Sequence, residues 1–300
     1  MSAGLSVRSA VVHSAVESVP LLDLKRQDEN LREEYVAALS RVCASGQFVL
    51  GPEVKRLEES IADYSGVKYG VGCSSGSDAL LLSLMAIDVG PGDEVIVPSF
   101  TFFATASCVP RLGATPVFAD IDPVTFNLDP TDVERKITPR TKAIIPVHLY
   151  GQMADMKAFR AMTSDSDDPI RREITLIEDA AQAIGAALDG VPTGAWGKMA
   201  CLSFYPTKNL GGPGDAGMVL TNSQRCAGQL RLLRGHGMEP RYYHQIIGVN
   251  SRIDAYQAAI LNVKLPHLDD WTEQRTQNAV RYTELFQSAG LADRAAWPAA

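Results

Sequence analysis

The amino-acid sequence predicts an α/β fold with a mostly parallel central sheet and helices on both of its faces. Short apolar runs of strand length alternate with helical segments, from residues 69–73 through to residues 218–221. Turn residues such as Pro91, Gly92 and Asp93 separate these runs. This alternation is typical of parallel strands joined by crossover helices. Because open sheets of this kind bind ligands at the carboxyl ends of their strands, polar residues that follow a strand are the first candidates for a functional site.

Local periodicity predicts the other elements in turn. Apolar residues at helical spacing predict a helix over residues 31–43, which Gly46 closes, and a second helix after Pro52. Further strands are predicted at residues 94–98, 115–120, 143–149, 175–177 and 201–205, and further helices at 78–87, from about 104 onwards, and at 271–288.

Four segments are expected along the chain. Residues 1–18 are expected to be a disordered extension and not a signal peptide, because Arg8, His13 and Glu17 interrupt every apolar run. Residues 19–55 are predicted to form an N-terminal helical arm, and residues 56–270 a large ligand-binding α/β domain. Residues 271–300 are expected to begin a small C-terminal domain that stops before it is complete.

Composition excludes several classes of protein. The net charge of −7 and the pI near 5.3 argue against a nucleic-acid partner, which would favour a basic face. No window approaches the ~20 apolar residues that span a membrane. The five cysteines are odd in number, widely spaced and without a C-x-x-C pair, so reduced thiols and a cytoplasmic location are expected. The histidines are scattered, so no metal site is expected.

Two segments carry residues with catalytic chemistry. Lys208 lies between a predicted strand and a loop rich in glycine and proline, and shaped loops on α/β sheets commonly hold ligands. Glu178 and Asp179 end another apolar strand, and alanines follow them. A carboxylate in this place suits a cationic ring nitrogen, although Asp179 as the N-cap of a helix is the plain alternative.

The segment Ser75-Gly76-Ser77-Asp78 lies at a predicted strand-to-helix junction. Backbone N–H groups and the positive end of a helix favour a phosphate at such a junction. Ser and Asp are also ordinary helix caps, so this segment alone is a weak signal.

Five blocks in a fixed order make a resemblance visible. They are residues 75–80 (SGSDAL), 98–105 (PSFTFFAT), 178–182 (EDAAQ), 203–217 (SFYPTKNLGGPGDAG) and 248–252 (GVNSR). With them, the chain resembles the DegT/DnrJ/StrS-type nucleotide-sugar aminotransferases, which are pyridoxal-phosphate (PLP) enzymes of fold type I. The resemblance extends from about residue 19 to residue 291, and it implies that the large domain binds PLP.

The resemblance also implies roles for individual residues. Lys208 would bind PLP covalently, Asp179 would pair with the pyridine nitrogen, and Gln182 would lie near the ring hydroxyl. Phe102 would stack on the ring, where many relatives carry Trp. The phosphate would be held by Gly76, Ser77 and Ser203, and Ser77 stands where the family usually has Thr. Asn250 would reach the phosphate of the neighbouring subunit, which implies a homodimer with shared active sites.

The implied reaction moves an amino group from an amino acid, usually glutamate in this family, to a keto-sugar nucleotide. Lys208 must be neutral to act as a base, and nearby positive charge together with partial desolvation is expected to lower its pKa. The loop 214–217 reads GDAG, as in relatives with Gly-Asp in that place, whereas many relatives that aminate C4 have Gly-Glu-Gly-Gly. Amination at C3 is therefore expected.

Other readings stay open at this point. Sugar dehydratases of the same fold replace the lysine with histidine, so Lys208 argues against that activity, and the sugar-type blocks argue against a lyase or desulfurase. A regulatory or impaired homologue that keeps PLP without turnover is a third alternative. Individual residues also have plain interpretations: Phe102 as core, Ser203 as a strand hydroxyl and Asn250 as a turn cap. His148 and His236 are compatible with either substrate contact or packing.

Overall fold

The computed structural model describes residues 22–291 of the 300-residue chain. The helices of this part are α1 (Leu24–Asp28), α2 (Arg32–Ser45), α3 (Pro52–Tyr64), α4 (Gly76–Met85), α5 (Phe103–Ser107), α6 (Pro130–Lys136), α7 (Met156–Met162), α8 (Pro169–Arg172), α9 (Gln224–Leu233), α10 (Ala255–Lys264) and α11 (Leu268–Ser288). The strands are β1 (Tyr69–Cys73), β2 (Glu94–Pro98), β3 (Thr115–Ala119), β4 (Thr141–Ile144), β5 (Thr175–Asp179), β6 (Ala187–Leu188), β7 (Val191–Pro192), β8 (Met199–Ser203) and β9 (Gly217–Thr221).

Within the described residues, seven strands form one sheet in the order β1–β9–β8–β5–β4–β2–β3, and β6 pairs with β7 in a separate hairpin. Strands β3, β2, β4, β5 and β8 are parallel. Strand β9 is antiparallel to both of its neighbours, β1 and β8, so β1 points in the same direction as β8. The predicted α/β fold with a mostly parallel sheet is confirmed.

Apolar side chains on both faces of this sheet are covered by helices. Alternate residues of a strand point to opposite faces. Ala200 and Leu202 of β8 pack in one cluster with α2, α3 and α10, whereas Met199 and Cys201 pack in another with α4 and α9. A third cluster joins β2, β4 and β5 to α6 and α7. Strands that are buried on both faces read as continuous apolar runs, which explains why the sequence revealed them.

Local sequence signals end and begin several helices. Gly46 adopts a left-handed conformation (φ 65°) and ends α2, as predicted. Pro52 occupies the first turn of α3, where its missing N–H costs no hydrogen bond. Ser75 caps α4 by accepting a hydrogen bond from the backbone N–H of Asp78 (3.1 Å), so α4 begins two residues earlier than the predicted helix.

The apolar run 143–149 does not form one strand. Strand β4 ends at Ile144, although the Ile145 N–H still donates to the Ile96 carbonyl oxygen (2.9 Å). Pro146 then interrupts the ladder because it has no N–H to donate. His148 follows at the start of a 3-10 turn over Leu149–Gly151, beside the end of β5.

The expected division into domains stays a prediction. The boundary between residues 55 and 56 falls inside α3, whose residues Val54, Leu57 and Ile61 belong to a single core cluster. The expected extension over residues 1–18 lies outside the described residues, as do the last nine residues of segment 271–300. Among the helices of residues 22–291, none combines the length and apolarity that crossing a membrane requires.

Candidate active site

Polar residues that follow different strands meet in one cavity of about 520 Å³. The cavity lies where β1, β5 and β8 end, as expected for an open parallel sheet. It contains seven of the eight residues that the sequence singled out: Gly76, Ser77, Phe102, Asp179, Gln182, Ser203 and Lys208. The eighth, Asn250, is exposed and lies outside this cavity.

Lys208 is half-buried in the loop after β8, and its backbone N–H donates to the Tyr205 carbonyl oxygen (2.8 Å). The glycines of this loop allow a close turn: a Cβ at Gly211 would lie 2.3 Å from the Pro206 carbonyl oxygen. Desolvation lowers the pKa of the Lys208 amine, and the negative charge of Asp179 opposes that shift. Burial therefore lowers the pKa of Lys208, as expected. Among the described residues, no neighbouring positive charge contributes to this shift.

Asp179 ends β5 with its carboxylate almost completely buried. Its Oδ1 accepts a hydrogen bond from the Ala181 N–H (3.2 Å), and its Oδ2 accepts one from the Thr105 hydroxyl (2.7 Å). Residues 181 and 182 form a turn, so no helix begins here and the N-cap interpretation of Asp179 is wrong. Burial raises the pKa of this carboxyl, while the Thr105 and Ala181 donors lower it.

The adjacent carboxylate, Glu178, points to the other face of the sheet. It is fully buried and accepts hydrogen bonds from the N–H groups of Gly194 (3.1 Å) and Gly197 (2.7 Å). His148 Nε2 lies 2.9 Å from Glu178 Oε2, and the Ala154 N–H donates to His148 Nδ1 (3.1 Å). Since Nδ1 accepts, Nε2 carries the proton and donates to Glu178. His148 is therefore a packed, hydrogen-bonded residue and is not a cavity residue.

Gln182 is oriented by the backbone of Tyr150. The Tyr150 N–H donates to Gln182 Oε1 (2.7 Å), which leaves the amide NH₂ as the group that Gln182 can offer to the cavity. Tyr150 holds a left-handed conformation (φ 58°), which is uncommon for a residue with a side chain and typical of functional sites. A donor in this position suits the ring hydroxyl oxygen that the resemblance assigns to Gln182.

The first turn of α4 and the Ser203 hydroxyl form a cradle, that is, a set of hydrogen-bond donors suited to a phosphate. Helix α4 presents its positive end to the cavity through Gly76 and Ser77. A Cβ at Gly76 would lie 2.6 Å from the Cβ of Ser203, so a glycine is required for this approach. Ser203 Oγ accepts a hydrogen bond from the Tyr205 N–H (3.4 Å), which leaves the hydroxyl proton of Ser203 to donate elsewhere.

Phe102 is 76% exposed and precedes α5 at the wall of the cavity. Its interpretation as a core residue is therefore wrong, because a core aromatic would be buried. An exposed aromatic face in a ligand cavity is suited to stacking on a flat ring. His236, in contrast, is exposed and outside the cavity, and it holds a left-handed conformation (φ 63°).

These residues fit PLP. A buried carboxylate disfavours its own charge unless a cation or donor compensates it, and among the ion pairs of the described residues none includes Asp179. A cationic ring nitrogen would supply that partner. The same cavity offers a lysine of lowered pKa, an aromatic face and a helix N-terminus for a phosphate dianion.

Sequence reasoning missed Thr105 and Thr101. The Thr105 hydroxyl contacts Asp179 directly, and Thr101 Oγ1 lies 3.0 Å from Thr105 Oγ1. Both residues belong to the block 98–105. A threonine within an apolar segment carries no sequence signal that identifies it as the partner of a carboxylate 74 residues later.

Comparisons with known proteins find a family and close relatives over most of this chain. The model of the DegT/DnrJ/EryC1/StrS aminotransferase family matches residues 29–297. A relative from Geobacillus stearothermophilus, named pleiotropic regulatory protein, is 55% identical over 91% of this chain and 72% of its own length. The UDP-2-acetamido-2-deoxy-3-oxo-D-glucuronate aminotransferase of Pseudomonas aeruginosa is 46% identical over 91% of this chain and 74% of its own length. The crystal structure of DesV from S. venezuelae, solved in complex with a ketimine intermediate, superimposes with a TM-score of 0.85 at 46% identity and covers 89% of this chain and 71% of that one.

Proposed function

This chain belongs to the DegT/DnrJ/EryC1/StrS aminotransferase family, and on that premise we propose that it binds PLP on Lys208 and aminates a keto-sugar nucleotide. The observation that carries the proposal is the meeting of Lys208, Asp179 and the N-terminus of α4 in one cavity. Bound PLP would supply an electron sink that stabilises negative charge at the carbon next to the amine nitrogen. The chain's own residues then position, hold and protonate the reactants.

Lys208 Nζ is proposed as the base. Desolvation lowers its pKa and favours the neutral amine, which can accept the proton that leaves the α-carbon of the amino donor. In the second half of the reaction the same Nζ would deliver a proton to the sugar carbon that receives the amine. Glutamate is proposed as the donor. The position of Lys208 in the cavity wall, in the loop after β8, supports this proposal.

Asp179, Gln182 and the cradle are proposed to orient the cofactor. Asp179 would hold the ring nitrogen in its protonated form, and the NH₂ group of Gln182 would donate to the ring oxygen. The first turn of α4 and the Ser203 hydroxyl would bind the phosphate. Phe102 would cover the ring face and exclude water from it.

The regulatory alternative has one specific observation in its favour, since the Geobacillus relative carries a regulatory name. The complete set of cavity residues favours turnover instead. Turnover of keto-sugar nucleotides with glutamate, followed by mass analysis of the products, separates the two functions. Protein that binds PLP but aminates no member of a panel would favour the regulator.

We expect a preference for sugar nucleotides with the keto group at C3. Two observations support this preference: the 3-oxo substrate in the name of the Pseudomonas relative, and Asp215, which lines the cavity in the loop after Lys208. Small misplacements of reacting atoms are costly, so the loop can select the carbon that meets the amine. Initial rates with 3-keto and 4-keto deoxysugar nucleotides test this expectation.

The matched variant is Asp215→Glu, which keeps the charge and lengthens the side chain. It is expected to weaken the preference for the 3-keto substrate. A clear preference of the wild-type protein for the 4-keto substrate would contradict the C3 assignment and leave the aminotransferase proposal intact.

We also expect a homodimer in which Asn250 serves the site of the partner subunit. Asn250 is exposed and outside the cavity of its own chain, as a residue with that role would be. Lys208→Ala and Asn250→Ala chains, each inactive alone, should regain activity when mixed. Random exchange would leave roughly a quarter of the sites of the mixture intact, because half of the dimers are hybrids with one complete site each.

The control is a chain with both substitutions, Lys208→Ala and Asn250→Ala, mixed with the Asn250→Ala chain. This mixture has no complete site and should stay inactive. Absence of recovery in the first mixture, with subunit exchange verified by mass spectrometry, would contradict the shared site.

A further inference from the structure

Two threonine hydroxyls connect the cavity wall to the buried Asp179 carboxylate. Thr105 lies in α5 and is 1% exposed, and its hydroxyl contacts Asp179 Oδ2 at 2.7 Å. Thr101 Oγ1 lies 3.0 Å from Thr105 Oγ1, and Thr101 lines the cavity. Thr105 is buried, and its hydroxyl contacts both Thr101 and Asp179.

The direction of the hydrogen bonds follows from the chemistry of the groups. An ionised carboxylate only accepts hydrogen bonds, and a hydroxyl has a single proton to donate. Thr105 therefore donates to Asp179, and its oxygen accepts the proton of the Thr101 hydroxyl. The relay runs from Thr101 through Thr105 to Asp179.

This chain of hydrogen bonds opposes the effect of burial on the pKa of Asp179. Burial raises the pKa of Asp179, and the Thr105 hydroxyl is the strongest of the groups that lower it, followed by the Ala181 N–H. Four other titratable groups, each in a different segment of the chain, face Asp179. They are Cys201 on β8, Cys108 after α5, His148 after β4 and Lys208 in its loop.

Hydrogen-bond geometry leaves room for a further donor. The two carboxylate oxygens offer about four acceptor sites. The Ala181 N–H takes one site on Oδ1, and the Thr105 hydroxyl takes one on Oδ2. Held on both oxygens, the carboxylate cannot rotate without losing a hydrogen bond, and acceptor sites remain for a donor in the cavity that Asp179 lines.

We propose that Thr105, supported by Thr101, is a positioning residue that keeps Asp179 ionised and aimed at the ring nitrogen of the bound cofactor. This inference rests on the proposed function. Helix α5 then has two tasks, since Phe102 at its start covers the ring face and Thr105 within it holds the partner of the ring nitrogen.

The test compares three variants of the full chain after reconstitution with PLP that carries ¹⁵N in the ring. Thr105→Val removes the hydroxyl at nearly constant shape, and Thr105→Ser keeps it. Thr163→Val is the matched control, since Thr163 is also fully buried but donates to the Phe159 carbonyl oxygen (2.7 Å) of α7. The readouts are the ¹⁵N resonance of the ring nitrogen, which reports its protonation, and the pH profile of kcat.

Thr105→Val is expected to shift the ring resonance towards the unprotonated nitrogen and to lower kcat about tenfold, the size expected for one hydrogen bond to a charged group. Without its strongest donor, Asp179 takes up a proton at higher pH, so the acid limb of the kcat profile should move to higher pH. Thr105→Ser should resemble the wild-type protein in all readouts, and Thr163→Val should leave the resonance and kcat unchanged.

A Thr105→Val protein with a protonated ring nitrogen and wild-type kcat would overturn the inference. If that variant does not fold, Thr101→Val takes its place, and an unchanged resonance and pH profile in this variant would equally overturn it. Wild-type protein that binds no PLP would overturn the proposed function itself, which separates the two failures.

Discussion

Replacing Lys208 with alanine is expected to lower kcat about a thousandfold, within the range that removal of a general base causes. The lysine is proposed to act twice, as the residue that holds PLP and as the base that moves the proton. Its half-buried position and lowered pKa support both tasks, because a neutral amine is the reactive form. The measurement is single-turnover and steady-state kinetics with glutamate and a keto-sugar nucleotide.

Borohydride reduction before proteolysis provides an independent readout, and the reduced cofactor is expected on the peptide that contains Lys208. Lys198 offers a matched control, since it is exposed and directly precedes β8, the strand that Lys208 follows. Lys198→Ala should retain the wild-type kcat and the labelled peptide. A reduced adduct on another lysine, or wild-type turnover by Lys208→Ala, would end the assignment.

Asp179→Asn is expected to retain PLP on Lys208 but to lower kcat about a hundredfold or more, as removal of one preorganised electrostatic partner does. The amide is neutral and cannot stabilise a protonated ring nitrogen, so the electron sink weakens. Asn also keeps the shape of the side chain. Absorbance of the bound cofactor and kcat at saturating substrates measure the two effects separately.

Asp132→Asn is the matched control for this variant. Asp132 is also a largely buried carboxylate, and it accepts hydrogen bonds from the Asp120 N–H (2.7 Å) and from Arg135 (2.8 Å), away from the cavity. Its substitution should lower the free energy of unfolding without lowering kcat of the folded protein. If Asp179→Asn behaves like Asp132→Asn, then Asp179 has a structural role only.

Prediction from sequence succeeded where the signal is local. The strands β1 and β2 were predicted at the observed residues, because largely buried strands are short apolar runs between turn residues. Seven predicted site residues meet in one cavity because each lies at or after the end of a strand, or at the start of a helix, at the same edge of the sheet. Family membership and the fold were likewise recognisable, since each block of the family's pattern is continuous in sequence.

Prediction from sequence was incomplete where a residue's environment depends on residues that are far away in the sequence. Apolar character extended the predicted strand to residue 149, but β4 ends at Ile144, and His148 is the buried partner of Glu178. The sequence left two interpretations of Phe102, an aromatic that stacks on the ring or a core residue, and only the structure shows that it is 76% exposed at the cavity wall.

The order and chemical type of residues are enough to assign this chain to an aminotransferase family and to single out Lys208 and Asp179, because a shaped loop and a strand end are properties of short segments. They do not assign the partner of Asp179. Thr105 lies 74 residues before it, and the contact forms only because folding brings α5 beside the end of β5. Burial, which sets the pKa directions of Asp179 and Lys208, is likewise a product of that packing, since desolvation depends on every neighbour that excludes water.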